Sequence, residues 1–177
     1  MLQAVVVVWC ALGIHIAHGA ATTANPGCGT VPADIVFLLD ASGSVGSSNF
    51  QKQKAFVARF ANSFNIGPHN VQIGVTTFST STHNQFNLNK YSSKAPLVQA
   101  INSIPYQSGS TMTSQALTYV TQNSFTHAAG DRDHVANILI VMTDGQSNNK
   151  PATISASDKL HHTNIKTFAI GIGSGHR

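Results

Sequence analysis

The sequence predicts an α/β fold, a doubly wound, mostly parallel sheet with helices on both faces. Two observations carry this. Two strongly apolar runs, residues 35–39 and 135–142, suit strands covered on both faces, and each is followed by an aspartate, Asp40 and Asp144. Strand-like and helix-like stretches then alternate along the chain, the pattern of a parallel sheet wound by crossover helices. The length of 177 residues suits one domain, and a hydrophobic share of 42% is enough for a packed core.

Each element has its own signal. The first strand covers about 34–40. Ser47, Ser48 and Asn49 are capping residues for a helix over about 48–64, where Phe56, Val57, Phe60, Ala61 and Phe64 share one face and Lys52, Lys54 and Arg59 fall elsewhere. Val71, Ile73, Val75 and Thr77 alternate with Gln72, Gly74 and Thr76, which places a second strand at about 70–79. Residues 83–88 alternate again as a short antiparallel strand. A short helix over about 94–104 is ended by Pro105. The stretch 109–113 is a loop, and Ala116, Leu117, Val120 and Phe125 mark a helix over about 114–125. A polar connection, 127–133, leads into the second apolar strand. A helix lies within 149–162, and the last strand covers about 165–172.

Residues 1–20 read as a secretory signal peptide, nearly all apolar over 4–17, with small residues at candidate cleavage positions around Ala17, Gly19 and Ala21. The run is short for a membrane span. Residues 21–33, rich in Thr, Gly and Pro, form a flexible lead-in. Cleavage would remove Cys10 and leave Cys28 to pair with another chain, to pair with a cysteine outside this sequence, or to stay a free thiol.

Net charge is formally +4, charged residues are 9% of the chain, and glutamate is absent. The basic residues are scattered, with no stripe interleaved with aromatics, so nucleic-acid binding is not indicated. A mild attraction to acidic partners remains. His161 and His162 are adjacent on a helix and point apart, as solvated residues do. His83, His127 and His134 are isolated, and Asp131, Arg132 and Asp133 read as a solvated loop.

The chemistry gathers at strand ends. Asp40, Ser42 and Ser44 place a carboxylate and two hydroxyls at alternate positions beyond the first strand, a hard oxygen set that suits Mg²⁺ or Mn²⁺ more than Zn²⁺. Thr111 and Thr113 lie in the 109–113 loop, and Asp144 follows the second apolar strand. In an open α/β sheet these loops meet near the topological switch point. Residue type alone leaves the plainer reading of polar turns open. Enzyme motifs do not fit. A phosphoaspartate nucleophile wants a second acid where Ser42 stands, and neither a Gly-x-Ser-x-Gly elbow nor a glycine-rich phosphate loop is present.

The blocks 38–46 (Leu-Leu-Asp-Ala-Ser-Gly-Ser-Val-Gly), Asn49-Phe50, Gly109-x-Thr111-x-Thr113, Met142-Thr143-Asp144-Gly145-Gln146-Ser147 and 168–173 (Phe-Ala-Ile-Gly-Ile-Gly) resemble the von Willebrand factor A-type domain, in the family's order and over about 34–174. The flavour is that of matrilins and collagen-associated matrix A domains. The resemblance implies a Rossmann-like sheet and a metal-ion-dependent adhesion site formed by Asp40, Ser42, Ser44, Thr111 and Asp144, with hydroxyls on the metal and one or both aspartates acting through water. It implies a non-enzymatic, secreted protein that binds an acidic side chain of an extracellular matrix or cell-surface partner, with collagen as one candidate; the alternative is a structural matrix module that uses the fold without the metal. Ser110, Met112 and Ser114 depart from the glycine, asparagine and glycine frequent in the family. The family also continues beyond Gly173 into a further strand and helix, so the domain over 34–177 is expected to lack its last strand and helix and to leave an apolar open edge.

Overall fold

The computed structural model describes residues 31–173. The elements are β1 (Ala33–Asp40), α1 (Gly46–Asn62), β2 (Val71–Phe78), β3 (Thr82–Phe86), α2 (Lys94–Ser103), α3 (Thr113–Asn123), β4 (Ala136–Thr143), α4 (Lys150–His161) and β5 (Lys166–Gly171). They form one sheet of order β3-β2-β1-β4-β5. All pairings are parallel except β2 with β3.

β1 is the buried centre, which explains its unbroken apolar run. Ile35, Phe37 and Leu39 face α1 and α2 and pack with Phe50, Val57, Ala61, Leu97 and Ile101. Val36 and Leu38 face the opposite side and pack with Ala116, Leu117, Val120, Ala156 and Leu160 of α3 and α4. Alternate side chains thus feed two cores, as a doubly wound sheet requires. The chain crosses from β1 to β2 on one side and returns to β4 on the other, so the switch point lies between β1 and β4. Among the described residues β5 is the outermost strand on that side, with exposed Thr167 and Ala169 alternating with half-buried Phe168 and Ile170.

Two expectations are corrected. Lys54 is not on the solvent face of α1. It is 5% exposed, and its ammonium donates to Asn102 O and Ile104 O, both at 2.9 Å, closing the end of α2. Nor is Arg132 in a solvated loop. Its guanidinium and amide bind the buried carboxylate of Asp34 at the start of β1. The expectation fails because an arginine between two aspartates looks locally paired, whereas its partner lies on a different element. His161, His162, His83 and His134 are exposed as expected, and His127 stands 3.6 Å from Asp133 at the surface. The predicted signal peptide, the lead-in up to residue 30, and Cys10 and Cys28 lie outside the described residues. Among the described residues no helix is long and apolar enough to cross a membrane.

Candidate functional site

Three loops converge at the carboxyl ends of β1 and β4. β1 ends at Asp40, which is fully buried. The parallel register pairs Leu39 with Met142, which brings Asp40 beside Thr143 at the switch point. The carboxylate is held on both oxygens: Oδ1 accepts from the Ser42 amide at 2.9 Å, and Oδ2 accepts from the Thr143 hydroxyl at 2.7 Å. Its carbonyl accepts from the Gln53 side chain at 2.8 Å, tying the strand end to α1. The chain then turns, and the hydroxyls of Ser42 and Ser44 come to 3.1 Å from each other. Tyr106 from the second loop donates to Ser42 O at 3.0 Å and holds this turn from outside.

The second loop carries Thr111, which is 6% exposed. It meets the first through Gly43 N and Gly109 O at 2.8 Å. Gly109 has φ +99°, and a Cβ there would lie 2.5 Å from Thr80 Oγ1, so close approach and left-handed backbone both require glycine. Among the described residues the Thr111 hydroxyl has no hydrogen-bond partner. Thr113 opens α3, one residue earlier than the sequence pattern placed the helix start, and its Oγ1 is buried and unpartnered. The third loop carries Asp144, whose carboxylate accepts from the Gln146 amide at 3.0 Å. Thr143 Oγ1 also accepts from Gly145 N at 3.1 Å.

Burial pushes the Asp40 carboxyl above its ordinary value, and the neighbouring Asp144 carboxylate adds to the rise; hydrogen bonds from Ser42 and Thr143 oppose it. Among the described residues neither carboxylate has a lysine or arginine partner. The donor set fits a hard divalent cation. Neighbouring ligands of an octahedral ion with bonds of ~2.1 Å stand about 3 Å apart, the spacing of the Ser42 and Ser44 hydroxyls. Among the described residues no three His, Cys, Asp or Glu side chains cluster; a side-chain group bonded to the Asp40 carboxylate is the Thr143 hydroxyl.

The five residues singled out in the sequence therefore lie on the three loops that meet at this strand end. Thr143, Gln53, Tyr106 and Asn148 were missed as supporting residues. Thr143 alone had a sequence signal, since it precedes Asp144 as the register partner of Asp40 would.

An open α/β sheet with hydroxyls and carboxylates gathered at its switch point places the candidate site where sheets of this class bind ligands. The chain belongs to the von Willebrand factor type A domain family, whose model matches residues 34–177. It is 38% identical over 141 residues to the collagen alpha-1(XX) chain of Mus musculus, covering 80% of this chain and 10% of that one. It is 33% identical over 149 residues to matrilin-1 of Gallus gallus, covering 82% of this chain and 30% of that protein. Among solved structures it resembles proximal thread matrix protein 1 from the mussel byssus, described with a zinc-occupied MIDAS motif. There the TM-score is 0.76 and the identity 33%, over 83% of this chain and 39% of that one. The chain thus spans well under half the length of each.

Proposed function

We propose that this chain is a secreted, non-enzymatic adhesion module that binds an extracellular matrix or cell-surface protein through a divalent cation. Asp40, Ser42, Ser44, Thr111 and Asp144 would hold the ion, with Mg²⁺ or Mn²⁺ as the fitting metals. The observation that carries this reading is the pair of neighbouring carboxylates without a cationic partner, next to two hydroxyls 3.1 Å apart. Family membership and matrix relatives support it, as does a relative described with metal in the corresponding motif.

The chain's own groups set the affinity. Asp40 is held by an amide and a hydroxyl, so it reaches the ion through water without reorganising. Ser42, Ser44 and Thr111 contribute neutral oxygens, and two carboxylates leave no excess negative charge. A bound cation so ligated keeps the Lewis acidity to accept a carboxylate from a partner. The partner is accordingly an extracellular matrix or cell-surface protein with an exposed acidic side chain, with collagen as one candidate. Cys28 is proposed to form a disulfide with a cysteine outside this sequence.

A thermal melt tests the site. A ligand at one hundred times its dissociation constant stabilises the native state by about 2.7 kcal/mol. Mn²⁺ or Mg²⁺ should therefore raise the melting temperature by several degrees, chelator should reverse this, and Asp144→Ala should not respond. A cooperative melt with no cation shift would favour the structural matrix module.

A further inference from the structure

The three site loops are bonded pairwise. The first and second are joined by Gly43 N to Gly109 O and by Tyr106 to Ser42 O. The first and third are joined by the Thr143 hydroxyl on Asp40. Among the described residues the link between the second and third is made by Asn148. Its Oδ1 accepts from Thr111 N at 2.7 Å, and its own amide donates to Thr111 O at 3.1 Å.

Three successive amides show why this link is distinctive. Ser110 N donates to Thr80 Oγ1 at 3.0 Å, and Met112 N donates to Ser79 O at 3.0 Å. Both anchor the second loop to the end of β2. Thr111 N, between them, turns the other way, to Asn148. The loop is thus stretched between β2 and the segment bearing Asp144, with Thr111 at the crossing.

The Asp144 side of the link is itself firm. Asp144 closes its own turn on Gln146, and the Ser147 hydroxyl meets the Thr153 hydroxyl at 2.8 Å. Asn149 caps α4 by accepting from Ala152 N at 3.0 Å. Two consecutive asparagines thus do different work: Asn149 starts the helix, and Asn148 reaches across to the second loop. Exposed Asn148 bonds both backbone polar groups of buried Thr111, the amide through its side-chain oxygen and the carbonyl through its own backbone N–H, and so registers two loops.

We infer that Asn148 is a positioning residue, which sets the separation of Thr111 from Asp144 and through it the affinity of the cation site. The inference rests on the metal-site reading above. Outer partners that orient ligands are worth about 10–100-fold in metal affinity when removed. Because Asn148 is exposed, truncating it leaves no cavity and spares the fold.

The experiment uses the secreted chain, Mn²⁺ as probe, and the variants Asn148→Ala, Asn148→Asp and Asp144→Ala. Three quantities are read: the Mn²⁺ dissociation constant, the hydrogen-exchange rate of the Thr111 amide in chelator, and the melting temperature in chelator. Asn148→Ala should weaken Mn²⁺ about tenfold and speed exchange at Thr111 but not at Met112, with the chelated melt unchanged. Asn148→Asp keeps the acceptor and should restore Thr111 protection. Faster exchange with unchanged Mn²⁺ affinity would overturn the inference, as would unchanged exchange or a chelated melt that drops with the affinity. If the parent binds no Mn²⁺, the metal-site reading fails and the inference with it. That failure is distinguishable, because the Thr111 exchange response would still report the link.

Discussion

Arg132 closes on Asp34 across 98 positions of sequence, with Nη2 and Nε at 2.7 and 3.0 Å from Oδ1 and the Arg132 amide at 2.9 Å from Oδ2. The same guanidinium donates to the carbonyls of Pro68, Ala33 and Asn70. With its amide nitrogen turned toward them, Gln72 also reaches Gly130 O and Asp34 Oδ1. The fully buried carboxylate is thereby satisfied at the amino end of the sheet, at the far end of β1 from Asp40. Removing one partner from such a pair leaves a buried charge alone. Arg132→Ala should lower unfolding free energy by about 3–5 kcal/mol, read by urea denaturation, with cation affinity in the surviving native protein within twofold. A loss below about 1 kcal/mol would place the pair among weak surface bridges.

The contrast between Asp34 and Asp40 shows what could be read in advance. Both flank one apolar run. Asp40 stood out because alternate hydroxyls follow it at the end of an apolar run, a pattern that a polar turn also shows and that the matching blocks elsewhere in the chain made specific. The sheet and helix order were legible because apolar period and turn residues are local signals. Asp34 with Arg132, Lys54 with the end of α2, and Asn148 with Thr111 were not, because each joins elements whose adjacency exists only after the sheet has assembled. Lys54 is instructive: it lies four residues after Phe50 and three before Val57, on the buried face, and charge alone argued the opposite.

Gly109 tests whether the second loop tolerates any side chain. Its φ of +99° disfavours an L-residue, and the Thr80 hydroxyl, 2.5 Å from a built Cβ, is also the acceptor of Ser110 N. Gly109→Ala should cost about 1–3 kcal/mol and weaken Mn²⁺ binding, because the shift falls between the bonds that hold Thr111. Unchanged denaturation and Mn²⁺ titration curves would show that the loop moves freely.

Lys54 gives a second stability test. Burial lowers its pKa from 10.5, while its ammonium supplies both carbonyls at the end of α2. Lys54→Met retains the apolar stem and loses the donors, for an expected loss of about 1–2 kcal/mol. With the folded pKa lowered, the lysine's contribution is fully present above 10.5 and is lost as pH falls through the folded value. The parent should therefore gain on the variant as pH rises through that window; a gap that narrows would contradict the burial argument.

Asp40 has the opposite sign. Its folded pKa is raised above 3.8, first by burial and further by Asp144. The stability it contributes is therefore fully present below 3.8 and lost as pH rises through the folded value. In chelator above the folded value the domain carries an ionised Asp40 that the fold disfavours. Asp40→Asn removes that charge and keeps an acceptor for the Ser42 amide, so it should melt at or above the parent in chelator. It should also lose the melting response to Mn²⁺. The parent should lose stability relative to Asp40→Asn as chelated samples are taken upward in pH through the folded value, and Mn²⁺ should reverse that loss by supplying the charge that the protein omits. Protons and cation then compete for one carboxylate, so Mn²⁺ affinity in the parent must fall as pH is lowered through the same range. A parent whose chelated stability rises relative to Asp40→Asn over that window would mean that hydrogen bonds from Ser42 and Thr143 outweigh burial. The carboxylate would then be stabilised as an anion without any metal, and a cation at this strand end would have no electrostatic basis.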